Sequence, residues 1–110
     1  LAGNIQCAAG TFKFSGQAKN KGDLVRVNDL VGIVQDTVGS GETGLAHFGV
    51  DAVVNKDGSN ITGVGVQLYY EVANGNRVTT TAASNIKAGK SLEAAGVGVG
   101  TVLMSVWPQF

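Results

Sequence analysis

The chain has 110 residues, room for one domain with a single modest core and no separate substrate domain. Eight basic and eight acidic residues cancel and lie scattered, so bulk charge offers nothing to a phosphate backbone and no direct nucleic-acid partner is expected. Apolar residues make up 44% and charged ones 15%, but no run approaches the roughly 18–20 apolar residues that cross a bilayer, so no membrane-spanning helix is expected and the chain reads as soluble, with a bland surface suited to being covered by neighbours.

In chain order, Thr11 to Phe14 alternates so that Phe12 and Phe14 share one strand face and Thr11 and Lys13 the other. Lys19 to Gly22 is a polar turn, and the next two apolar runs, Asp23 to Val27 and Leu30 to Val34, read as a hairpin over 23–35 closed by Asn28-Asp29. Val38 to Gly44 is a Gly-Ser loop, after which Leu45 to Val54 alternates as one long strand through Phe48, Val50 and Ala52. The turn region Lys56 to Gly63 leads into a strand over 64–72 with Val66, Leu68 and Tyr70 on one face, and Asn74-Gly75-Asn76 returns it along 77–81. Ala82 to Ala95 is rich in Ala, Lys, Leu and Glu but holds Gly89, which costs about 1 kcal/mol against Ala in a helix, so at most one helical turn is expected there. A glycine-rich loop over 96–100 precedes a last strand, Thr101 to Trp107, that Pro108 ends. The expected fold is all-β, a small single-domain β-barrel or β-sandwich-like structure with little or no helix. Residues 1–10 read as an N-terminal arm and 11–110 as the β domain.

Motifs that carry chemistry are weak. Gly39, Gly41 and Gly44 spell G-x-G-x-x-G, but a strand pattern follows where a dinucleotide site needs a helix N-terminus. Gly89-Lys90-Ser91 resembles the tail of a phosphate-binding loop, yet Ser84 stands where the first glycine belongs. His47 is the single histidine and has no partner at catalytic spacing. One His and one Cys, forty residues apart, make no zinc site. Asp51, Asp57 and Glu71 are read as solvated turn residues rather than a paired-carboxylate centre. Asn60-Ile61-Thr62 is a glycosylation sequon only for a chain on a eukaryotic secretory route. No enzyme activity, cofactor or metal is expected. Cys7, the lone cysteine, is either a small buried hydrophobe or an intermolecular thiol. Trp107 and Phe110, flanking Pro108, either anchor on a partner or close the core.

The pieces Gly22-Asp23-Leu24-Val25-Arg26-Val27, Leu30-Val31-Gly32-Ile33-Val34, Gly41-Glu42 with Phe48-Gly49-Val50, Leu68-Tyr69-Tyr70, Val78-Thr79-Thr80-Thr81 and Gly100-Thr101-Val102-Leu103-Met104-Ser105-Val106 come in an order and spacing that resemble the small capsid decoration, or cement, proteins of tailed bacteriophages. Two departures are the polar stretch Asp57 to Thr62 and Gly89-Lys90-Ser91-Leu92, where relatives carry a more apolar strand. The resemblance implies a β-barrel-like domain, commonly trimeric, assembled in the host cytoplasm. It would sit on the outer face of an icosahedral head and clamp neighbouring major capsid subunits. The competing class is a non-enzymatic β-sandwich module binding carbohydrate or a host surface, which Tyr69 would suit. Within the cement reading, the candidate capsid contacts are Leu1, Ile5 and Cys7, on an arm over Leu1 to Ala9 that orders on the capsid, together with Trp107 and Phe110.

Overall fold

The computed structural model describes residues 10–107, in which nine strands and no helix form two curled antiparallel sheets, each a half-barrel. The strands are β1 (Thr11–Ser15), β2 (Leu24–Val27), β3 (Leu30–Val34), β4 (Thr43–His47), β5 (Val50–Asn55), β6 (Gln67–Tyr70), β7 (Val78–Thr79), β8 (Ile86–Ser91) and β9 (Thr101–Val106). The first sheet runs β1-β4-β3-β2 and the second β5-β9-β8-β6-β7. A parallel bridge from Lys56 to Val78 draws the end of β5 onto β7 and curls the second sheet towards closure.

Two cores follow from the strict alternation of side chains along the β2–β3 hairpin. Leu24 and Val31 point across β8 and β9 into the main core, where Leu68, Tyr70, Val78, Val102, Met104 and Val106 are all buried. Val25 and Val34 point the other way and, with Phe14, Ala46 and the partly buried Phe12 and Val27, fill the hollow of the first sheet. A hairpin buried on both faces needs apolar residues at consecutive positions, which is why Leu24-Val25 and Leu30-Val31 are neighbouring apolar pairs. Each such side chain, fully buried, contributes about 1.5–3 kcal/mol.

The first sheet packs its rings on glycine. A Cβ on Gly44 would meet the Phe14 ring and one on Gly32 both the His47 carbonyl and the Phe12 ring; Gly10 lies closer still under Phe48. In the second sheet the corresponding close approach is to backbone, since Gly89 of β8, with φ 152°, lies against the Ser105 carbonyl of β9.

The two sheets are also stitched by polar groups around the turn 74–76. The Asn76 Oδ1 accepts from the Leu24 amide at 2.8 Å and its Nδ2 donates to Asp23 at 3.2 Å. Lys19 Nζ and the Tyr70 hydroxyl both donate to the Gly75 carbonyl at 2.7 Å. Burial lowers the Lys19 pKa, partly offset by the Asp23 charge, and raises that of the Tyr70 phenol.

The hairpin closed by Asn28-Asp29 forms as expected, with Asn28 at φ 53°. Two strands have other bounds than expected, and one strand was not expected. The single strand over 45–54 is two strands in different sheets: the chain breaks at Phe48 and Gly49, where the Phe48 amide donates to Gly10 in the first sheet and the Gly49 amide to Val106 in the second. In keeping with the limit of one helical turn, Ala82 to Ala95 contains none; it holds instead the unread strand β8, paired with β6 and β9, and that pairing outweighs local helix preference. The return strand over 77–81 shrinks to Val78–Thr79, since the Glu71 and Arg77 backbone and side chains close a broader loop than Asn74–Asn76.

Candidate functional site

The tempting motifs resolve into structure. Gly39 to Gly44 leads into β4 rather than a helix, and Gly89 to Ser91 is the end of β8, with the buried Ser91 hydroxyl donating to the Gly63 carbonyl at 2.6 Å and accepting from the Val66 amide at 3.0 Å. His47 ends β4, half-buried opposite Thr11 and Ile33. The three carboxylates stand apart: Asp51 is exposed on β5, Glu71 pairs with Arg77 at 2.8 Å, and Asp57 accepts from the Ser59 and Thr79 hydroxyls. Burial acts to raise the Asp57 pKa, but those hydrogen bonds and the nearby Arg77 charge hold it below the usual carboxylate range. Among the described residues no cluster of His, Cys, Asp or Glu is arranged to hold a metal. Ile61, the middle of the sequon, is buried and bridges Ala95.

Of the contact candidates, Leu1, Ile5, Cys7 and Phe110 lie outside the described residues. Trp107 is 42% exposed; its ring covers Gly49 at the crossing between sheets, and its amide donates to the Ala88 carbonyl. Tyr69 is half-buried on β6, opposite Thr79 and Lys87.

A second surface escaped the sequence reading. Val97 and Val99 are exposed on the loop between β8 and β9, at 77% and 45%, yet the loop beneath them is pinned. Lys56 is almost fully buried, and its Nζ donates to the carbonyls of Asp57 and Val99, both at 2.7 Å, and of Gly96 at 3.3 Å. A charged group satisfied only by carbonyls fixes their positions, and so presents the two valines on a prepaid backbone. Nothing in the spacing of Lys56, forty residues from Gly96, signals this. Val97 and Val99 precede β9 and Trp107 follows it, about 20 Å away at some 3.3 Å per residue, so they form separate surfaces at opposite ends of one strand.

The remaining features are sheet edges. In the first sheet, the outer backbone groups of β2 are partly capped, with the Leu24 amide on Asn76 and the Arg26 carbonyl on the Gln17 side-chain amide at 3.3 Å. Beside it, a slot of about 420 Å³ between β1 and β2 is lined by Lys13, Ser15, Gln17 and Arg26 among others. Such an arrangement offers edges, rigid loops and half-exposed rings to another surface.

A family model described as phage cement protein matches residues 7–106. No curated protein and no solved structure matches the chain.

Proposed function

The chain belongs to the phage cement protein family, and on that premise we propose that it binds the outer face of an icosahedral phage head and stabilises contacts between major capsid subunits. The family assigns a capsid-associated structural role; the match over nearly the whole chain is the observation that carries the reading. In this reading the protein is not an enzyme, assembles in the host cytoplasm, needs no cofactor, and acts as a homo-oligomer, a trimer by preference. Each copy adds buried area across a seam, and many equivalent weak contacts repeated over the shell sum to a large resistance to rupture.

Purified protein is expected to co-sediment with expanded shells stripped of it and to raise their melting temperature. Saturating protein that does neither would defeat the reading. Attachment is assigned to the arm over Leu1 to Ala9, with Leu1, Ile5 and Cys7, aided by the Trp107 to Phe110 end, where Trp107 is already half-exposed. Deleting residues 1–9 should leave the isolated domain's melting temperature nearly unchanged and greatly weaken shell binding. If the deletion unfolds the domain, or shell affinity survives it, contact runs through the loops or the Trp107 end instead.

A further inference from the structure

Two stretches of strand edge stand open among the described residues, and they are complementary. In β1 the Phe48 amide donates to the Gly10 carbonyl at 3.0 Å, so by antiparallel alternation Phe12 and Phe14 turn their backbone groups to β4, and Thr11, Lys13 and Ser15 turn theirs outward. In β5 the Lys56 amide donates to Gly100 at 2.9 Å, which by the same alternation turns Ala52 and Val54 to β9 and Asp51 and Val53 outward. No described residue bonds to these outward groups. The other edges are partly engaged: β2 has its Leu24 amide on Asn76 and its Arg26 carbonyl on Gln17, and β7 is two residues long and bridges Lys56.

We propose that β1 of one copy pairs antiparallel with the Asp51–Val53 edge of β5 in a second copy, with Lys13 opposite Asp51 and Thr11 opposite Val53. Parity supports this register, because all four residues carry outward-facing backbone groups and a shift by one would set bonded groups against open ones. Charge supports it too. Lys13 and Asp51 are both exposed, and the ion pair among the described residues, Arg77 with Glu71, involves neither. Pairing β1 with its own copy would set Lys13 near Lys13, which like-charge repulsion disfavours. Val53, 63% exposed, gains cover in the pairing. The contact joins different patches on the two copies, so it propagates head to tail and closes into a ring when the rotation allows.

This inference rests on the self-association within the cement reading, not on attachment to the capsid. Sedimentation of the full chain at several concentrations, with a thermal melt of each variant as a folding control, tests it. Wild type should sediment as an oligomer, Lys13→Glu and Asp51→Lys should each weaken assembly roughly tenfold or more without lowering the monomer's melting temperature, and the double reversal should restore it. A monomeric wild type, as expected if the chain's own N-terminal segment occupies β1, overturns the proposal. So does an oligomer indifferent to both single changes, or sensitive to Asp51→Lys alone as a twofold β5 contact would be, or not restored by the double variant. Wild type that forms the charge-dependent oligomer but does not bind stripped shells leaves the edge pairing standing and removes the cement reading.

Discussion

The two sheets bury similar side chains against different neighbours. In the first sheet, rings fill space left by glycines, Phe14 over Gly44 and Phe48 over Gly10, while Gly32 lies between the Phe12 ring and the His47 carbonyl. In the second, branched aliphatics and Met104 fill the core while two backbones approach each other at Gly89 and Ser105. A ring can tilt when crowded and a paired carbonyl cannot, so equal substitutions should have unequal consequences in the two halves.

The sharpest way to break the comparison is one added methyl in each sheet. Gly89→Ala would place its Cβ on the Ser105 carbonyl, and relief requires β8 to part from β9 in the middle of the main core. We expect a loss above about 4 kcal/mol, seen as absence of a cooperative melt. Gly44→Ala would crowd the Phe14 ring and the Val38 side chain, both of which can shift. A loss of about 1–3 kcal/mol by denaturant titration is expected there. Equal losses at the two sites would show that the backbone approach in the second sheet is no tighter in consequence than ring packing in the first.

The same contrast explains how far the sequence could be read. The hairpin over 24–34 was legible because two apolar runs and an Asn-Asp turn are local signals, and the shared face of Phe12 and Phe14 because alternation is strict. Gly44 was read as the end of a loop and Gly89 as a helix-weakening residue, and both lie inside strands, Gly44 under the Phe14 ring and Gly89 against the Ser105 carbonyl. The break at Phe48-Gly49 was hidden because Ala46, Phe48, Val50, Ala52 and Val54 keep one alternation through the change of sheet. Helix preference in 82–95 was outweighed by pairing that local sequence does not encode. For Trp107 a partner anchor and closure of the core were left open, and its ring lies against Gly49 with 42% of the residue exposed. Lys56 and the valines it presents could not be found, since a lysine satisfied by distant carbonyls leaves no mark in composition or spacing.

Whether the halves behave as one unit depends on the turn at 74–76. Asn76→Ala removes the acceptor for the Leu24 amide and the link to Asp23, both of which cross from the second sheet to the first. The amide is partly buried, so a loss of about 1–3 kcal/mol is expected. Hydrogen exchange should sharpen the picture, with protection falling at Leu24 and its neighbours in β2 more than in β8 and β9. Uniform loss over both sheets would mean that Asn76 supports the global fold rather than the joint.

The smallest effect is acid sensitivity confined to the second sheet. Asp57 accepts hydrogen bonds from Ser59 and from the buried Thr79 of β7, and its pKa is lowered in the folded protein. A carboxyl with a folded pKa below its unfolded value, about 3.9 for Asp, binds fewer protons when folded. Its stabilisation is therefore complete above the unfolded pKa and is lost as pH falls through the folded one. The group is partly exposed, so solvent screening should keep the contribution under about 1 kcal/mol. Asp57→Asn should lower the melting temperature most near neutral pH, and the gap from wild type should narrow as the pH is taken down past the carboxylate range. A gap that is the same at both ends would assign the loss to altered hydrogen-bond shape at Thr79 rather than to the charge, and would leave β7 without a titrating partner.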